Sequence, residues 1–292
     1  MLTKCRASVI IPTYNRLKEL SFTLNSLTEQ ITEHIFEVIV ADDGSTEDAK
    51  GLVENFIGKL NIRYCFQENK GFRAAVARNM GIKLAEGDIC IFVDNGIALH
   101  PAAVNTHIET HLAESSPCVV IGYIYGFDTE KGREDEIKSI IDNNTLEEAI
   151  SILHNRQIGD VRESMYRELG EEINNWPAPF VVCWSGNLSV SRNVLLSIGM
   201  YDEYFTSWGN EDDDLGLSLF RNKIHFVLAR SASSIHYPHP KLHEWDTNWR
   251  AEQARLKVKK QYMYDKHPIP EMGLWTYVND PVDLNKALKL FL

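Results

Sequence analysis

The amino-acid sequence predicts an α/β fold in which a mixed, Rossmann-like sheet is flanked by helices. Strand and helix signals alternate through the first hundred residues, and this alternation is typical of right-handed crossovers between largely parallel strands. Polar clusters directly follow three of the predicted strands. Because ligands of such sheets bind beyond the carboxyl ends of the strands, the same pattern predicts where a functional site lies.

The predicted elements of the first half follow from local patterns. A β-branched run at residues 7–11 predicts the first strand, which is stopped by Pro12. Leucines then recur at helical spacing from position 17 to position 27 and form one apolar stripe. After the second strand, Ser45 and Asp48 resemble a capping pair at the start of a helix. The remaining predictions are strands at 36–41, 62–66 and 88–93 and an alanine-rich helix at 72–85.

The second half carries more helical signal. Residues 128–175 are polar and helical, and they predict either a helical insertion beside the site or a solvated helical layer. Two prolines after Trp176 end this region. A strand at 180–190 and a helix at 192–196, closed by Gly199, are predicted after them.

Composition narrows the class of protein. The 292 residues are 44% hydrophobic and 24% charged, which is ordinary for a globular chain. The net charge of −11 argues against nucleic-acid partners, because phosphate backbones require a basic surface. Five scattered cysteines without a C-x-x-C pair predict reduced thiols, and no apolar run approaches the roughly 20 residues of a membrane-spanning helix. We therefore predict a cytoplasmic protein without a transmembrane segment. The amphipathic tail around Leu284 and Leu288 is expected to pack on its own domain, and the alternative is a contact with a membrane surface or a partner.

Three polar clusters stand at predicted strand ends: Thr13-Tyr14-Asn15, Asp42-Asp43-Gly44-Ser45 and Asp94-Asn95-Gly96. Tyr14 and Asn15 offer an aromatic face and an amide, which suit a nucleobase. Asp43 offers a carboxylate to a base or ribose. Asp94 is a natural ligand for a divalent ion that bridges a diphosphate. Both aspartate clusters are also common turn sequences, so each one alone has a structural explanation.

The sharpest local feature is the acidic run Glu211-Asp212-Asp213-Asp214, which precedes an apolar helix. One or two acids at a helix start are explained by the macrodipole, but four exceed that need. Their mutual repulsion raises the pKa of at least one carboxyl, which favours a general base. Farther along, His236 and His239 form a histidine cluster after a strand, which is either structural or a metal site.

The ordered set of motifs resembles family 2 glycosyltransferases. In the first half the resemblance rests on Val9–Asn15, Val38–Ser45 and Ala77–Gly81. In the second half Trp184–Ser189, Phe205–Asp212 and Ile235-His236 are similar to a narrower group, which holds bacterial chondroitin-polymerase domains, polypeptide N-acetylgalactosaminyltransferases and β-1,4-galactosyltransferases. The matches run in order from about residue 7 to residue 238.

This resemblance implies a nucleotide-diphospho-sugar transferase fold of the GT-A type and inversion at the anomeric carbon. It implies Pro12, Tyr14, Asp43 and Arg78 around the uridine, Asp94 and His236 at a Mn²⁺ or Mg²⁺ ion, and Asp212 as general base. It further implies Glu211 and Trp208 at the acceptor sugar.

The sequence departs from the family at two positions. Gly96 replaces the second aspartate of the D-x-D motif, which puts metal dependence in doubt. Asn210 stands where relatives often have glycine, so it contacts or crowds the acceptor.

The sequence as a whole predicts an inverting transferase that moves a hexose or N-acetylhexosamine from a UDP-sugar to a hydroxyl of a carbohydrate, peptide or small metabolite. The predicted catalytic domain spans residues 1–240, with a nucleotide-binding half (1–100) and an acceptor-binding half (101–240), and a C-terminal helical extension spans 241–292. One alternative is a degenerate, non-catalytic sugar-nucleotide binder, suggested by Gly96. A nucleotidyltransferase is the other, but residues 7–16 lack the glycine- and lysine-rich phosphate loop that it requires.

Overall fold

The computed structural model describes residues 4–127, 132–239 and 249–290. Their strands are β1 (Ala7–Thr13), β2 (Phe36–Asp42), β3 (Ile62–Phe66), β4 (Ile89–Val93), β5 (Ile97–Leu99), β6 (Cys118–Tyr125), β7 (Asn187–Ser191) and β8 (His225–His236). These strands form one mixed sheet in the order β3-β2-β1-β4-β7-β6-β8-β5. Strands β1 to β4 are parallel where they pair, and β7 runs antiparallel to both of its neighbours, β4 and β6.

Helices cover the sheet. In the described part of the chain, none of them is both long and apolar enough to cross a membrane. The helices are α1 (Leu17–Thr28), α2 (Ala49–Glu54), α3 (Ala74–Leu84), α4 (Ala103–Ala113), α5 (Glu134–Asp142), α6 (Leu146–Asn155), α7 (Glu163–Leu169), α8 (Arg192–Ile198), α9 (Glu211–Arg221), α10 (Trp249–Lys266), α11 (Pro270–Trp275) and α12 (Pro281–Lys289).

The central strands are buried on both faces, which is why their sequences read as continuous apolar runs. Along β1, Ile10 belongs to one core cluster, whereas Val9 and Ile11 belong to the cluster on the opposite face. Helix α3 lies directly against β1, because a Cβ atom on Gly81 would stand 2.4 Å from Cγ2 of Ile10. The strands and helices predicted for the first half are thereby confirmed, with shifts of one or two residues at their ends.

Two local predictions are wrong. The strand expected at 180–190 is a 3₁₀ helix over Pro179–Val182, and β7 begins only at Asn187. The run at 180–182 is apolar because it is buried, and a short buried run does not by itself distinguish a strand from a turn. Ser45 and Asp48 do not form a capping pair. Asp48 alone accepts the N–H of Gly51 at 2.9 Å, while the Ser45 hydroxyl accepts the N–H of Asn15 at 2.7 Å.

The region predicted as a helical insertion contains α5, α6 and α7. Apolar side chains of α5 and α6 form a small core with Ile235 and Tyr237, so this layer packs on the end of β8 next to His236. In the C-terminal tail, Leu284 and Leu288 are buried in the main core. The tail therefore packs on its own domain, the first of its two predicted arrangements.

Candidate active site

A cleft of about 1470 Å³ lies at the carboxyl ends of β1, β2 and β4. It brings together ten of the residues that the sequence singled out, which come from positions 12 to 236 of the chain. These ten residues are Pro12, Tyr14, Asp43, Arg78, Asp94, Trp208, Asn210, Glu211, Asp212 and His236.

Asn15 is the predicted site residue that does not line the cleft. Asn15 and Arg16 both have positive φ angles, of 54° and 62°, as the chain turns from β1 into α1. The amide oxygen of Asn15 accepts the N–H of Thr46 at 2.9 Å. In this structure its side chain therefore holds the loop that follows β2.

The two aspartates after β2 have different environments. Asp42 is fully buried and accepts hydrogen bonds from the Tyr64 hydroxyl and the Ser45 N–H, both at 2.7 Å. Asp43 lines the cleft, where its oxygens accept the side-chain amide of Gln67 and the N–H of Arg73, both at 2.6 Å. Burial raises the pKa of Asp43 in spite of these donors. Asp42 therefore supports the loop, and Asp43 is the one of the two carboxylates that faces the cleft.

Arg78 lies beneath the carboxylates of the cleft and is 4% exposed. Its Nη2 donates to Oδ1 of Asp94 at 2.9 Å, and its Nη1 lies 3.7 Å from Glu211 and 3.6 Å from Asp212. Burial opposes the charge of the guanidinium, but the neighbouring carboxylates outweigh burial and hold the pKa of Arg78 well above its usual value. Arg78 thus joins the acid of the predicted diphosphate site to the acids of the predicted acceptor site.

Asp212 is held in a fixed orientation at the start of α9. Its Oδ1 accepts the hydroxyl of Ser185 at 2.5 Å, and its Oδ2 accepts the N–H of the same residue at 3.1 Å. The hydroxyl of Tyr201 lies 2.6 Å from the Ser185 oxygen and donates to it, since the Ser185 hydrogen is directed at Asp212. Burial raises the pKa of Asp212, and Asp94 adds to this effect while Arg78 opposes it. A half-buried, oriented carboxyl with a raised pKa is suited to proton transfer.

Sequence reasoning assigned no role to Ser185 or Tyr201. Ser185 belongs to the Trp184–Ser189 motif, so the motif was a signal for it. Tyr201 lies in no motif, and only the fold shows its position.

The other acids of the run have separate roles. Burial, followed by the charge of Asp212, raises the pKa of Glu211, which also lines the cleft. Asp213 accepts a hydrogen bond from the amide of Asn210 at 2.8 Å. Asp214 is buried outside the cleft lining and pairs with Lys266 of α10 at 2.8 Å. The acidic run therefore combines cleft carboxylates with a structural ion pair.

The two predicted metal ligands, Asp94 and His236, both line the cleft and have different environments. Asp94 is bound on one oxygen by Arg78, and Gly96 contributes no side chain. Burial lowers the pKa of His236 to about 3, so its ring is neutral, and it packs edge-on against Phe127. Among the described residues, no group of three or more His, Cys, Asp or Glu side chains is placed to hold a metal. The pair Asp94 and His236 remains a prediction.

Comparison with known proteins identifies the family. The model of the family described as Glycosyl transferase family 2 matches residues 8–183. The chain belongs to glycosyltransferase family 2.

Curated relatives agree with this family assignment. The chain is 33% identical over 281 residues to validoxylamine A glucosyltransferase of Streptomyces hygroscopicus subsp. jinggangensis. This alignment covers 93% of this chain and 64% of that protein. It is also 33% identical over 243 residues to chondroitin synthase of Escherichia coli, covering 80% of this chain and 35% of that protein. The chain thus spans less than two thirds of the length of these relatives.

Solved structures show the fold. Residues 1–349 of TarS from S. aureus, in complex with UDP-GlcNAc, match with a TM-score of 0.58 and 18% identity, covering 87% of this chain and 66% of that one. The mannosyltransferase PcManGT from Pyrobaculum calidifontis, in complex with GDP-Man and Mn²⁺, matches with a TM-score of 0.58 and 16% identity, covering 98% of this chain and 74% of that one. The predicted GT-A type fold is confirmed.

One part of the cleft of this family 2 member was not predicted from the sequence. Side chains of α10 and of the segment after α11 line it together with the acids of α9. These residues lie beyond position 183, where the family match ends. The cleft-lining residues of this part are Gln253, Ala254, Leu256, Lys257, Lys260, Trp275, Thr276, Tyr277 and Asn279.

Proposed function

We propose that the chain is an inverting glycosyltransferase that moves a hexose or N-acetylhexosamine from a UDP-sugar to an acceptor hydroxyl. The observation that carries this proposal is Asp212, a half-buried carboxylate in the cleft, oriented by Ser185 and close to Arg78. In the proposed step Asp212 takes the proton of the acceptor hydroxyl. The hydroxyl oxygen bonds to the anomeric carbon, and the bond from that carbon to the diphosphate oxygen breaks, with its electron pair leaving on UDP.

The donor is proposed to lie along the strand ends. Tyr14 and Asp43 would face the uridine, as the family resemblance implies, and a structural neighbour is in complex with UDP-GlcNAc. Arg16 and Arg78 line the same cleft and supply positive charge for the departing diphosphate. Glu211, Trp208 and Asn210 would contact the acceptor, a carbohydrate, peptide or small metabolite.

Replacing Asp212 with Asn tests the proposal. Asn keeps the size of the side chain but does not take up a proton, so turnover should fall by about 10²–10⁴-fold while UDP affinity stays within about twofold. Asp283→Asn is the control, because it makes the same change at an exposed carboxylate that does not line the cleft, and it should leave turnover intact. Loss of UDP binding in Asp212→Asn, or unchanged turnover, would contradict the role of Asp212.

Calorimetric titration of UDP in Mn²⁺ and then in EDTA tests the donor site. Because Gly96 replaces the second aspartate of the D-x-D motif, equal affinity in both buffers would indicate a donor site that does not need the ion. Binding only in Mn²⁺ would instead support Asp94 and His236 as ligands that bind the ion together with the diphosphate. Binding of UDP without turnover of UDP-glucose or UDP-GlcNAc would favour the degenerate sugar-nucleotide binder.

A further inference from the structure

One side of the cleft is formed by the C-terminal part of the chain. We name the residues Gln253–Lys260 of α10 and Trp275–Asn279 the C-terminal wall; several of their side chains line the same cavity as Glu211 and Asp212. The wall lies outside the segment that defines the family, residues 8–183. Its side chains bear on the choice of substrate, because they line the cleft beside the acids of α9.

The wall is fixed to the loop that precedes Glu211. The ammonium of Lys259, a residue only 6% exposed, donates to three successive carbonyl oxygens, those of Ser207, Trp208 and Gly209, at 2.8, 2.6 and 3.0 Å. Leu256 packs on the same loop, since a Cβ atom on Gly209 would stand 3.1 Å from its Cδ2. The position of the wall relative to the acids of α9 is thus determined by direct bonds.

A second lysine joins the two parts of the wall. The ammonium of Lys260 lies 3.6 Å from the centre of the Trp275 ring and donates to the carbonyl of Val278 at 3.1 Å and to Asn279 at 3.3 Å. Lys257, the other lysine lining this side, is exposed, where solvent screens its charge. The buried positive charges of the wall therefore serve internal contacts and are not presented to an anion.

The groups that lack partners at this end of the cleft match hydroxyls. Among the described residues, the indole N–H of Trp275 and the oxygens Oδ1 of Asn210 and Oε2 of Glu211 are buried without a hydrogen bond. An unpaired buried polar group costs about 1–3 kcal/mol, so a ligand that pairs these atoms gains affinity. A hydroxyl both donates and accepts, whereas a carboxylate or phosphate would be repelled by the two oxygens.

Two exposed aromatic rings complete this end. Tyr277 is 85% exposed and Trp208 is 46% exposed, and both line the cleft. Aromatic rings exposed in a cleft provide flat apolar surface for the C–H face of a ring-shaped ligand, and their polar tips remain hydrated.

We propose that the C-terminal wall is the acceptor subsite and that it takes an uncharged, polyhydroxylated ring, which stacks on Tyr277 and accepts a hydrogen bond from Trp275. This inference rests on the proposed transferase activity, because it assigns the acceptor end of that site. It names an acceptor class, a neutral sugar unit, and two residues that select it.

The experiment measures UDP release from UDP-glucose and UDP-GlcNAc in the presence of three probes, namely p-nitrophenyl β-glucoside, p-nitrophenyl β-N-acetylglucosaminide and the anionic p-nitrophenyl β-glucuronide. Release without a probe gives donor hydrolysis and is subtracted. We expect at least one neutral probe to accelerate release and the glucuronide to have no effect.

Two variants locate the effect. Tyr277→Ala should raise KM for the neutral probe about 3–10-fold by loss of stacking, with kcat and UDP affinity nearly unchanged. Leu290→Ala is the matched control, because Leu290 is also 85% exposed near the end of the chain but does not line the cleft, and it should have no effect. Trp275→Phe keeps a ring over Lys260 and removes the N–H, so KM should rise about 2–10-fold.

Three results would overturn the inference: preference for the glucuronide, equal behaviour of Tyr277→Ala and Leu290→Ala, or donor hydrolysis that no neutral probe accelerates. A wild-type protein that neither binds UDP nor hydrolyses either donor would instead refute the proposed function itself.

Discussion

Replacing Lys259 with Met removes the three hydrogen bonds that fix α10 to the loop before Glu211. Methionine has nearly the same length and suits the buried aliphatic path, but it donates no hydrogen bond. Hydrogen bonds from a charged donor contribute about 1.5–3 kcal/mol each. In the variant, water can bond to part of the freed carbonyl oxygens, because residues of this loop are partly exposed. The variant also avoids the cost of burying an ammonium, which offsets a further part of the loss. We therefore expect the free energy of unfolding to fall by about 2–4 kcal/mol, less than the sum of three separate bonds.

The same change should affect the acceptor more than the donor. The loop carries Trp208 and Asn210 at the acceptor end, whereas the predicted uridine site lies at the strand ends. The assay combines denaturant unfolding, calorimetric UDP titration and KM for a neutral glycoside probe. We expect KM for the probe to rise about tenfold, as for a binding loop that must be reordered at a cost of roughly 1.4 kcal/mol, with UDP affinity unchanged.

Lys257→Met is the control for Lys259→Met, because it makes the same substitution on the exposed side of the same helix. It should leave the free energy of unfolding within about 0.5 kcal/mol of the wild type. The reasoning fails if Lys259→Met is as stable as this control, or if UDP affinity falls as much as affinity for the probe.

Two further predictions concern titrating groups. Ser185→Ala removes a hydrogen-bond donor to Asp212, so the pKa of Asp212 should rise further. The acidic limb of the profile of kcat against pH should then move up by about one pH unit. An unshifted limb would mean that Ser185 does not affect the pKa of the base. His107 is fully buried, and burial lowers its pKa to about 4. The contribution of neutral His107 to the free energy of unfolding is therefore complete above pH 6.5. It is lost as pH falls toward 4, which lowers the free energy of unfolding by about 3 kcal/mol. His107→Gln should flatten this part of the stability curve, whereas His225→Gln, at an exposed position, should leave it unchanged.

Sequence reasoning succeeded where a local pattern determines the structure. The β-branched run at 7–11 and the acids Asp43 and Asp94 at strand ends follow from the alternation of strands and helices, and the fold then brings these strand ends together. It failed where tertiary context decides. The apolar run at 180–182 is buried as a 3₁₀ turn, and no spacing distinguishes that burial from a strand.

The site residues that were missed act through contacts distant in sequence. Tyr201 reaches Asp212 only through the hydroxyl of Ser185. Trp275, at the end of α11, contacts α10 through the ammonium of Lys260, and Lys259 holds α10 against the loop at 207–209. A single sequence carries no signal for such pairings, since each residue alone reads as an ordinary core or surface position.

The two ends of the cleft are encoded by separate stretches of the chain. The strand ends and α3 supply one end from residues 12–94, and the wall supplies the other from residues 253–279. Substitutions at the cleft-lining positions of the second stretch can therefore change which acceptor fits while the donor end keeps its sequence. For protein engineering, an exchange of residues 249–289 between homologues would have to keep Ser207–Gly209 with Lys259, the pair of Lys266 with Asp214, and the core contacts of Leu284 and Leu288.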